Sequence, residues 1–151
     1  MNPNRQKIDQ LIQKGVIIPN PDSVEIGEDI KIENISEDRV IIHSGCRLFG
    51  KSTIIMGQTQ IGDESPVTIQ DCQLGPRVML KGGYFKESVF LDKAGAGSGS
   101  HIRAGCIFEE EANIAHTVGL KQTILFPFVT LGSLINFCDC LMAGGTSRKD
   151  H

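Results

Sequence analysis

Large apolar residues recur every sixth position over the second half of the chain. They stand at Ile102, Phe108, Ile114, Leu120 and Phe126. An α-helix repeats its apolar face every three or four residues and a strand every two, so a period of six indicates short strands that are redirected at regular corners. We expect these five side chains to point into one common core.

A second position in each six-residue unit is mostly small and never charged. Residues two apart on a strand point to the same side, so each unit sends one large and one small side chain inward. Such units cannot bury their own apolar face and must stack as coils. The register also extends backward through Ala96, Phe90 and Tyr84. The second positions, four residues after each large one, are Ser88, Ala94, Ser100, Cys106, Ala112, Val118 and Ile124.

The same spacing occurs with interruptions in the rest of the chain. Glycine follows several inward residues and predicts corners with positive φ at Gly27, Gly62, Gly75, Gly97 and Gly132. We expect loops or shifted corners where the spacing of six is broken. The inward residues predicted in these parts are Ile26, Ile30, Ile32, Ile42, Leu48, Ile54, Leu74, Val78, Leu80, Leu131 and Phe137, with Cys46 and Ser52 in small positions.

The first fifteen residues carry a helical pattern instead. Asn2 is a suitable N-cap, Pro3 fits the first turn, and Gly15 is a stop signal. We expect this helix to cover the first coil and to shield its strand edges. The apolar stripe predicted for the helix consists of Ile8, Leu11 and Ile12.

The pattern divides the chain into three parts. Residues 1–15 are predicted to form a capping or connecting helix, and residues 16–145 a β-helix domain. Residues 146–151 form a C-terminal tail, which we expect to be truncated because the repeat stops there without a cover.

Composition narrows the function classes. A net charge of −3 gives no electrostatic reason to expect a nucleic-acid partner. No apolar run approaches the roughly 20 residues of a membrane span, and the polar start lacks the apolar stretch of a signal peptide. Five cysteines, an odd number without regular spacing, favour a reducing cytoplasm over a disulfide framework. We therefore expect a cytoplasmic protein without nucleic-acid or membrane partners.

Two motifs that suggest bound groups are better explained by the repeat. GAGSGS, residues 95–100, lacks the ending of a phosphate-binding P-loop and lies in the six-residue register. Cys138 and Cys140 would point to one side of a strand, but no further ligand completes a tetrahedral metal set. We expect no metal. Three other cysteines occupy small inward positions, where the thiol is a compact apolar group: Cys46, Cys72 and Cys106.

The repeat resembles the hexapeptide repeat of left-handed parallel β-helices. In that family three six-residue sides make one triangular coil of roughly 18 residues. The resemblance implies an all-β, three-sided, left-handed parallel β-helix of six to seven coils for this chain. The left hand rests on the resemblance alone, because parallel crossovers are right-handed in about 98% of other cases.

Two segments resemble the acetyltransferase half of the bacterial bifunctional UDP-N-acetylglucosamine pyrophosphorylase/glucosamine-1-phosphate acetyltransferases. GVIIPNPDSVEI, residues 15–26, is similar to the GVxxxxPxxxxI entry of that β-helix. HIRAGCIFEEEANIAHTVGLKQT, residues 101–123, is similar to the family's xxxRPGxxLxxxxxxGxFVExKxx. The resemblance places Arg103 and Lys121 on the family's substrate-binding Arg and Lys.

The spacing of these two cations has a physical consequence. One coil apart, Arg103 and Lys121 would lie on the same side of adjacent coils, about 4.8 Å apart along the axis. Such a pair can share a phosphate, with Arg giving a planar fork and Lys a point charge. The alternative is that the glutamates at residues 109–111 neutralise the two cations across a solvated face.

The chain departs from the family where the catalytic base is expected. The family carries HxxYxGD, with His as the base, and residues 133–139 read SLINFCD. Ser133 replaces the His, Asn136 replaces the Tyr, and only Asp139 matches. A Ser without a partner cannot accept a proton near neutral pH, and losing a general base typically costs about 10²–10⁴-fold in rate. The pyrophosphorylase loop GxGTRM is not found in the sequence.

The sequence thus predicts a protein of a transferase family, of the acyltransferase or nucleotidyltransferase type, that binds a sugar phosphate or nucleotide-sugar. We expect acetyl transfer to be lost or altered. The predicted substrate-binding residues are Arg103, Lys121, Asn136 and Asp139.

Two alternatives stay open. One is an active acyl-CoA-dependent sugar acyltransferase with His116 or His101 as the base, for which the resemblance implies acetyl-CoA as the donor. The other is a non-catalytic trimerisation module. We expect a homotrimer, from the resemblance and from Ile107 and Leu125, which alternation places on the outer surface.

Overall fold

Short strands stack into three parallel sheets in the computed structural model, which describes residues 2–150. Most strands have only two residues because the chain is redirected at a corner every five or six residues. In chain order the strands are β1 (Glu25–Ile26), β2 (Ile41–Ile42), β3 (Arg47–Phe49), β4 (Ile54–Ile55), β5 (Gln60–Ile61), β6 (Val67–Gln70), β7 (Gln73–Leu74), β8 (Met79–Leu80), β9 (Gly83–Lys86), β10 (Val89–Phe90), β11 (Gly95–Ala96), β12 (Ser100–Ile102), β13 (Ile107–Phe108), β14 (Asn113–Ile114), β15 (Gly119–Lys121), β16 (Ile124–Leu125), β17 (Thr130–Leu131), β18 (Asn136–Cys138) and β19 (Leu141–Met142).

The chain visits three sheets in turn. Sheet 1 has the order β1-β3-β6-β9-β12-β15-β18, sheet 2 has β2-β5-β8-β11-β14-β17, and sheet 3 has β4-β7-β10-β13-β16-β19. From β3 onward the path runs from sheet 1 to sheet 3, then to sheet 2 and back to sheet 1, so every coil has three sides. The prediction of an all-β, three-sided parallel β-helix is confirmed: the fold is a β-solenoid of about six coils, consistent with a left-handed β-helix.

The core is a column of inward-pointing side chains. Ile102, Phe108, Ile114 and Leu120 are buried as predicted. Most small positions are buried as well, with Cys46, Cys72 and Cys106 among them, but Ser52 is exposed and Thr53 is buried in its place. Burial of each large residue contributes roughly 1.5–3 kcal/mol to the free energy of folding. The remaining buried residues predicted from the spacing are Ile26, Ile30, Ile42, Leu48, Leu74, Val78, Leu80, Ser88, Phe90, Ala94, Ala96, Ser100, Ala112, Val118 and Leu131, and Ile32 and Phe137 are half-buried against them.

Several predicted inward positions are wrong by one residue. Phe126 is exposed and Leu125 is buried in its place, which also corrects the expectation that Leu125 lies outside. The neighbouring small position is filled by Thr123 instead of Ile124. Two further shifts have the same form, with Phe85 buried instead of Tyr84, and Ile55 instead of Ile54.

Sides of five residues explain three of these shifts. In a six-residue side, the corner is formed by the third residue after the large inward residue, and this corner residue has a left-handed backbone conformation. Glu111, three residues after Phe108, is an example with φ 59°. Where the chain passes from sheet 1 to sheet 3, the corner is often formed by the second residue after the large inward residue, and the side then has five residues instead of six. Non-glycine residues perform these tight turns: Asp71 (φ 53°), Glu87 (φ 45°), Gln122 (φ 47°) and Asp139 (φ 58°).

Of the five glycines predicted at corners, only Gly62 lies in the left-handed region, so the prediction is wrong for Gly27, Gly75, Gly97 and Gly132. Gly62 has φ 85°, as the sequence predicted. A Cβ on Gly97 would lie 2.6 Å from the carbonyl carbon of Ala115 in the next coil. Close approach of two backbones therefore requires glycine at this position.

Helix α1 (Pro3–Lys14) covers the first coil. The Asn2 side chain accepts a hydrogen bond from the backbone N–H of Arg5, and Gly15 (φ 122°) ends the helix, as predicted. Ile8 and Leu11 are buried, but Ile12 is exposed and does not belong to the apolar stripe. Among the residues described, no helix has both the length and the hydropathy that crossing a membrane requires.

Candidate functional site

Arg103 and Lys121 occupy equivalent positions in adjacent coils. Ile102 of β12 pairs with Leu120 of β15, and the backbone N–H of Arg103 donates to the carbonyl of Leu120 (2.9 Å). The residue that follows each of these buried side chains points outward, so both cations are exposed at the corner between sheet 1 and sheet 3. We call this corner the Arg103 corner. The structure thus brings together the two residues that the resemblance singled out.

The next coil adds Cys138 and Asp139 to the Arg103 corner. Cys138 pairs with Lys121, and the N–H of Asp139 donates to the carbonyl of Lys121 (3.0 Å). The Arg103 guanidinium reaches past the Lys121 position to the Cys138 sulfur, with 3.5 Å between Nη2 and Sγ. Asp139 is exposed and turns the corner at φ 58°.

Asn136 lies at the other end of β18. It pairs with Gly119, which in turn pairs with His101 of β12. Because Gly119 has no side chain, the outer face of sheet 1 has a gap there, and the Asn136 amide folds over it: a Cβ on Gly119 would lie 3.0 Å from Asn136 Oδ1. The His101 ring packs edge-on against Tyr84 on the far side, with 5.4 Å between ring centroids.

The glutamates do not neutralise the two cations. Residues 109–111 follow β13 and lie at the corner between sheet 3 and sheet 2, a different corner of the coil. Within residues 2–150, no carboxylate lies within 4.0 Å of the charged groups of Arg103 and Lys121. The charge of the Arg103 corner is therefore available to a ligand.

Ser133 has a partner, contrary to the expectation from the sequence. Its Oγ lies 2.8 Å from His116 Nδ1. The two residues are equivalent in adjacent coils, because Ile114 pairs with Leu131 and each stands two residues later in the chain. They lie at the corner between sheet 2 and sheet 1, which we call the His116 corner. Sequence reasoning missed this contact because the two residues are not 18 positions apart.

A cleft of about 340 Å³ opens beside the His116 corner on the outside of sheet 2. Small residues at Ala96 and Gly97 leave room for it, and the exposed His116 ring stands at its edge. Lys81 and Glu64 supply opposite charges there, with 3.7 Å between Nζ and Oε1. The cleft thus places polar and charged groups around a shallow space next to an imidazole.

The two corners lie at opposite ends of one short strand. β15 (Gly119–Lys121) begins just after the His116 corner and ends at Lys121. A ligand lying along the outer face of sheet 1 would cross Gly119, where the nearest side chain is the Asn136 amide. Such a ligand would have its anionic group at Lys121 and its other end near His116.

Two proteins named bifunctional protein GlmU resemble most of this chain. GlmU of Trichlorobacter lovleyi is 30% identical over 123 residues, which are 80% of this chain and 25% of that protein. GlmU of Corynebacterium aurimucosum is 30% identical over 120 residues, 80% of this chain and 23% of that protein. The chain is a hexapeptide-repeat β-helix protein related to GlmU. It spans about a quarter of the length of these relatives, within their C-terminal half.

A solved structure supports the fold. The hexapeptide transferase family protein from Anaplasma phagocytophilum superposes with a TM-score of 0.58 at 13% identity, covering 83% of this chain and 74% of that one. At this identity the likeness concerns the fold alone. No protein-family model matches the chain. Kinship with GlmU therefore rests on sequence similarity, and the β-helix fold on both the sequence relatives and the solved structure.

The cysteines of this GlmU relative fall into two groups. Burial raises the pKa of the Cys72 thiol to about 12, and it also raises the pKa of Cys46 and of Cys106. Cys138 is exposed and Cys140 half-buried, with the Cys140 thiol directed at the Cys138 carbonyl. In the part of the chain that the structure describes, no group of three or more His, Cys, Asp or Glu residues is arranged to hold a metal ion.

Proposed function

We propose that this chain is the β-helix domain of a sugar-nucleotide transferase-like protein and binds the phosphate of a sugar phosphate or nucleotide-sugar at the Arg103 corner. The observation that carries the proposal is the stacking of Arg103 on Lys121 in adjacent coils, both exposed and both without a carboxylate within 4.0 Å in residues 2–150. Two such cations suit one tetrahedral anion, which accepts hydrogen bonds from both.

The other predicted residues support the same placement of a ligand. Asn136 offers an amide beside the gap at Gly119, where the hydroxyl groups of a sugar can donate and accept hydrogen bonds. Asp139 lies one residue beyond Cys138 and adds a carboxylate at the rim, which suits a sugar hydroxyl better than a phosphate. Kinship with GlmU over 80% of the chain agrees with a ligand of this class.

Titration calorimetry at low ionic strength tests the proposal. We expect glucosamine 1-phosphate and UDP-N-acetylglucosamine to bind, and Arg103→Ala to weaken binding by about tenfold or more, because a bidentate charge-assisted contact is lost. Lys121→Ala should weaken it less, since Lys provides only a point charge. Lys93→Ala, an exposed cation at a different corner, is the matched control and should change nothing.

The dependence of the ligand affinity on salt concentration is a second test of the Arg103 corner. Binding should weaken as salt is added, because exposed charge contacts are screened. Affinity that is equal in the wild type and in Arg103→Ala, and insensitive to salt, would show that the Arg103 corner is not the binding site.

Active acyl transfer is a second candidate, favoured by the contact between His116 and Ser133. If His116 Nδ1 carries the proton and donates it to Ser133 Oγ, the other ring nitrogen is free to act as a base. Nε2 would take the proton of the acceptor amine while the amine nitrogen attacks the thioester carbonyl. The C–S bond would then break, and the sulfur would receive that proton from Nε2 and leave as the thiol. Ser133 would then orient the base instead of replacing it.

Thiol release from acetyl-CoA in the presence of glucosamine 1-phosphate distinguishes the two candidates. Binding without release supports the first, in which acetyl transfer is lost or altered. Rapid release that His116→Asn reduces by about 10²-fold or more supports the second. Ser133→Ala should then lower the rate less than His116→Asn, because it removes only the orienting hydrogen bond.

A further inference from the structure

A third cation stands in line with Arg103 and Lys121. Phe85 of β9 pairs with Ile102 of β12, so Lys86, the last residue of β9, is equivalent to Arg103 one coil earlier. The next coil continues the line, because Arg103 is equivalent to Lys121. We call Lys86, Arg103 and Lys121 the basic column. Parallel partners in register point to the same side of a sheet, so all three side chains leave the solenoid at the same corner.

Neutral residues bound the basic column at both ends. Gln70 pairs with Lys86 on one side, and Cys138 pairs with Lys121 on the other. Glu87 directly follows Lys86, yet no carboxylate in residues 2–150 lies within 4.0 Å of the Lys86 ammonium. Some cations elsewhere on the surface are paired, as Arg77 is with Asp92, and others such as Lys93 are not. The basic column is therefore three cations long and without ion pairs of its own.

The spacing exceeds what one phosphate needs. Neighbouring strands lie about 4.8 Å apart, so a phosphate shared by Arg103 and Lys121 sits roughly 7 Å along the axis from the level of Lys86. The Arg103 guanidinium is also directed away from Lys86, toward the Cys138 sulfur. Lys86 is thus left to contact a second anionic group next to the first.

We propose that the basic column binds a diphosphate, and that Lys86 is the residue that favours a nucleotide-sugar over a sugar monophosphate. The inference rests on the proposed function, because it takes Arg103 and Lys121 to hold the first phosphate. Lys86 then contacts the second phosphate of the same ligand. The nucleoside would extend beyond Lys86, toward the coil that contains Gln70.

Two ligands that share a sugar test the role of Lys86. We would titrate N-acetylglucosamine 1-phosphate and UDP-N-acetylglucosamine into the wild type and into Lys86→Gln, Lys86→Arg and Lys93→Gln at low ionic strength. Lys86→Gln should weaken UDP-N-acetylglucosamine about fivefold, as expected for one exposed charge contact, and leave N-acetylglucosamine 1-phosphate unchanged. Lys86→Arg should keep the affinity for both ligands, and Lys93→Gln should be equal to the wild type.

Each other outcome has a distinct meaning. The inference about the diphosphate is wrong if Lys86→Gln changes the affinity for neither ligand, or changes both affinities equally. The proposed function stands in that case if Arg103→Gln removes binding of both ligands. Binding of the monophosphate alone would also overturn the inference. If neither ligand binds the wild type, both the inference and the proposed function are wrong. Circular dichroism of each variant checks that the coils remain folded.

Discussion

Leu125 lies directly beside Phe108 in the parallel ladder of sheet 3, although the coil that joins them has only 17 residues. Both side chains are completely buried. We therefore expect Leu125→Ala to lower the free energy of unfolding by about 2–5 kcal/mol, through lost burial and the cavity left behind. Phe126→Ala, the matched control at the exposed neighbour, should cost much less. Urea denaturation of both variants checks this, and a larger loss in Phe126→Ala would contradict the register.

Ile114 is the second test of the core. Its side chain points into the column between Ala96 and Leu131 of the adjacent coils. Ile114→Asp should prevent folding, because a carboxylate without partners would lie in a narrow apolar space. Thr130→Asp places the same group on the exposed face of the next strand and should fold normally. A soluble, cooperatively melting Ile114→Asp protein would show that this side chain does not point inward.

The cysteines should separate by reactivity. Cys138 is exposed and within reach of Arg103, whereas Cys46, Cys72 and Cys106 are buried with raised pKa values. Because the thiolate is the reactive form, we expect a disulfide reagent at pH 8 to modify Cys138 first and the buried three only after unfolding. Mass spectrometry of the labelled peptides measures the order. Early labelling of Cys72 in the native protein would contradict its burial.

Stability should fall in alkaline solution. In the folded state the pKa of Cys72 is raised to about 12 from an ordinary value of 9.0, mainly by burial. Burial favours the neutral, protonated thiol, so the unfolded chain loses this proton at a lower pH than the folded protein. The free energy of unfolding is therefore not affected by this group below pH 9 and falls as the pH rises toward 12. Urea titrations at pH 7.5 and pH 10.5 measure this loss. Cys72→Ala should reduce the difference between the two, and an unchanged difference would assign the effect to other groups.

Assembly is testable by light scattering. We expect a homotrimer, from the resemblance to the acetyltransferase family and from apolar side chains such as Met79 and Ile54, which are 39% and 38% exposed. Leu125 no longer supports this expectation because it is buried. At micromolar concentration the scattering mass should be three times the chain mass of 16.4 kDa. A mass equal to that of one chain would remove the prediction.

The sequence predicts the fold well because burial imposes the spacing. From Phe90 to Leu120 every side has six residues, and all large positions predicted there are buried. The prediction fails after Leu120, where Gln122 turns the corner one residue early at φ 47°. Nothing in a hydrophobic pattern distinguishes that early turn, because Leu125 and Phe126 are both large and apolar. Alternation alone then allows either to point inward.

The candidate site was predictable only where the coil length is regular. The resemblance identified Arg103 and Lys121, and because an 18-residue coil joins them, a search at that period also pairs them. Lys86 and Arg103, like His116 and Ser133, are joined by coils of 17 residues, and the same search passes over both pairs. The contact between His116 and Ser133 also depends on side-chain directions at a corner, which the type of residue does not determine.

The stacked topology also allows the chain to fold one coil at a time. Each coil contacts only its neighbours, and its closing loop is always about the same length, so each added coil costs a similar loop entropy. The helix that covers the first coil precedes all the coils in the chain, so it leaves the ribosome before they do. During translation the coils can therefore be added to this end one at a time, in the order in which the ribosome releases them.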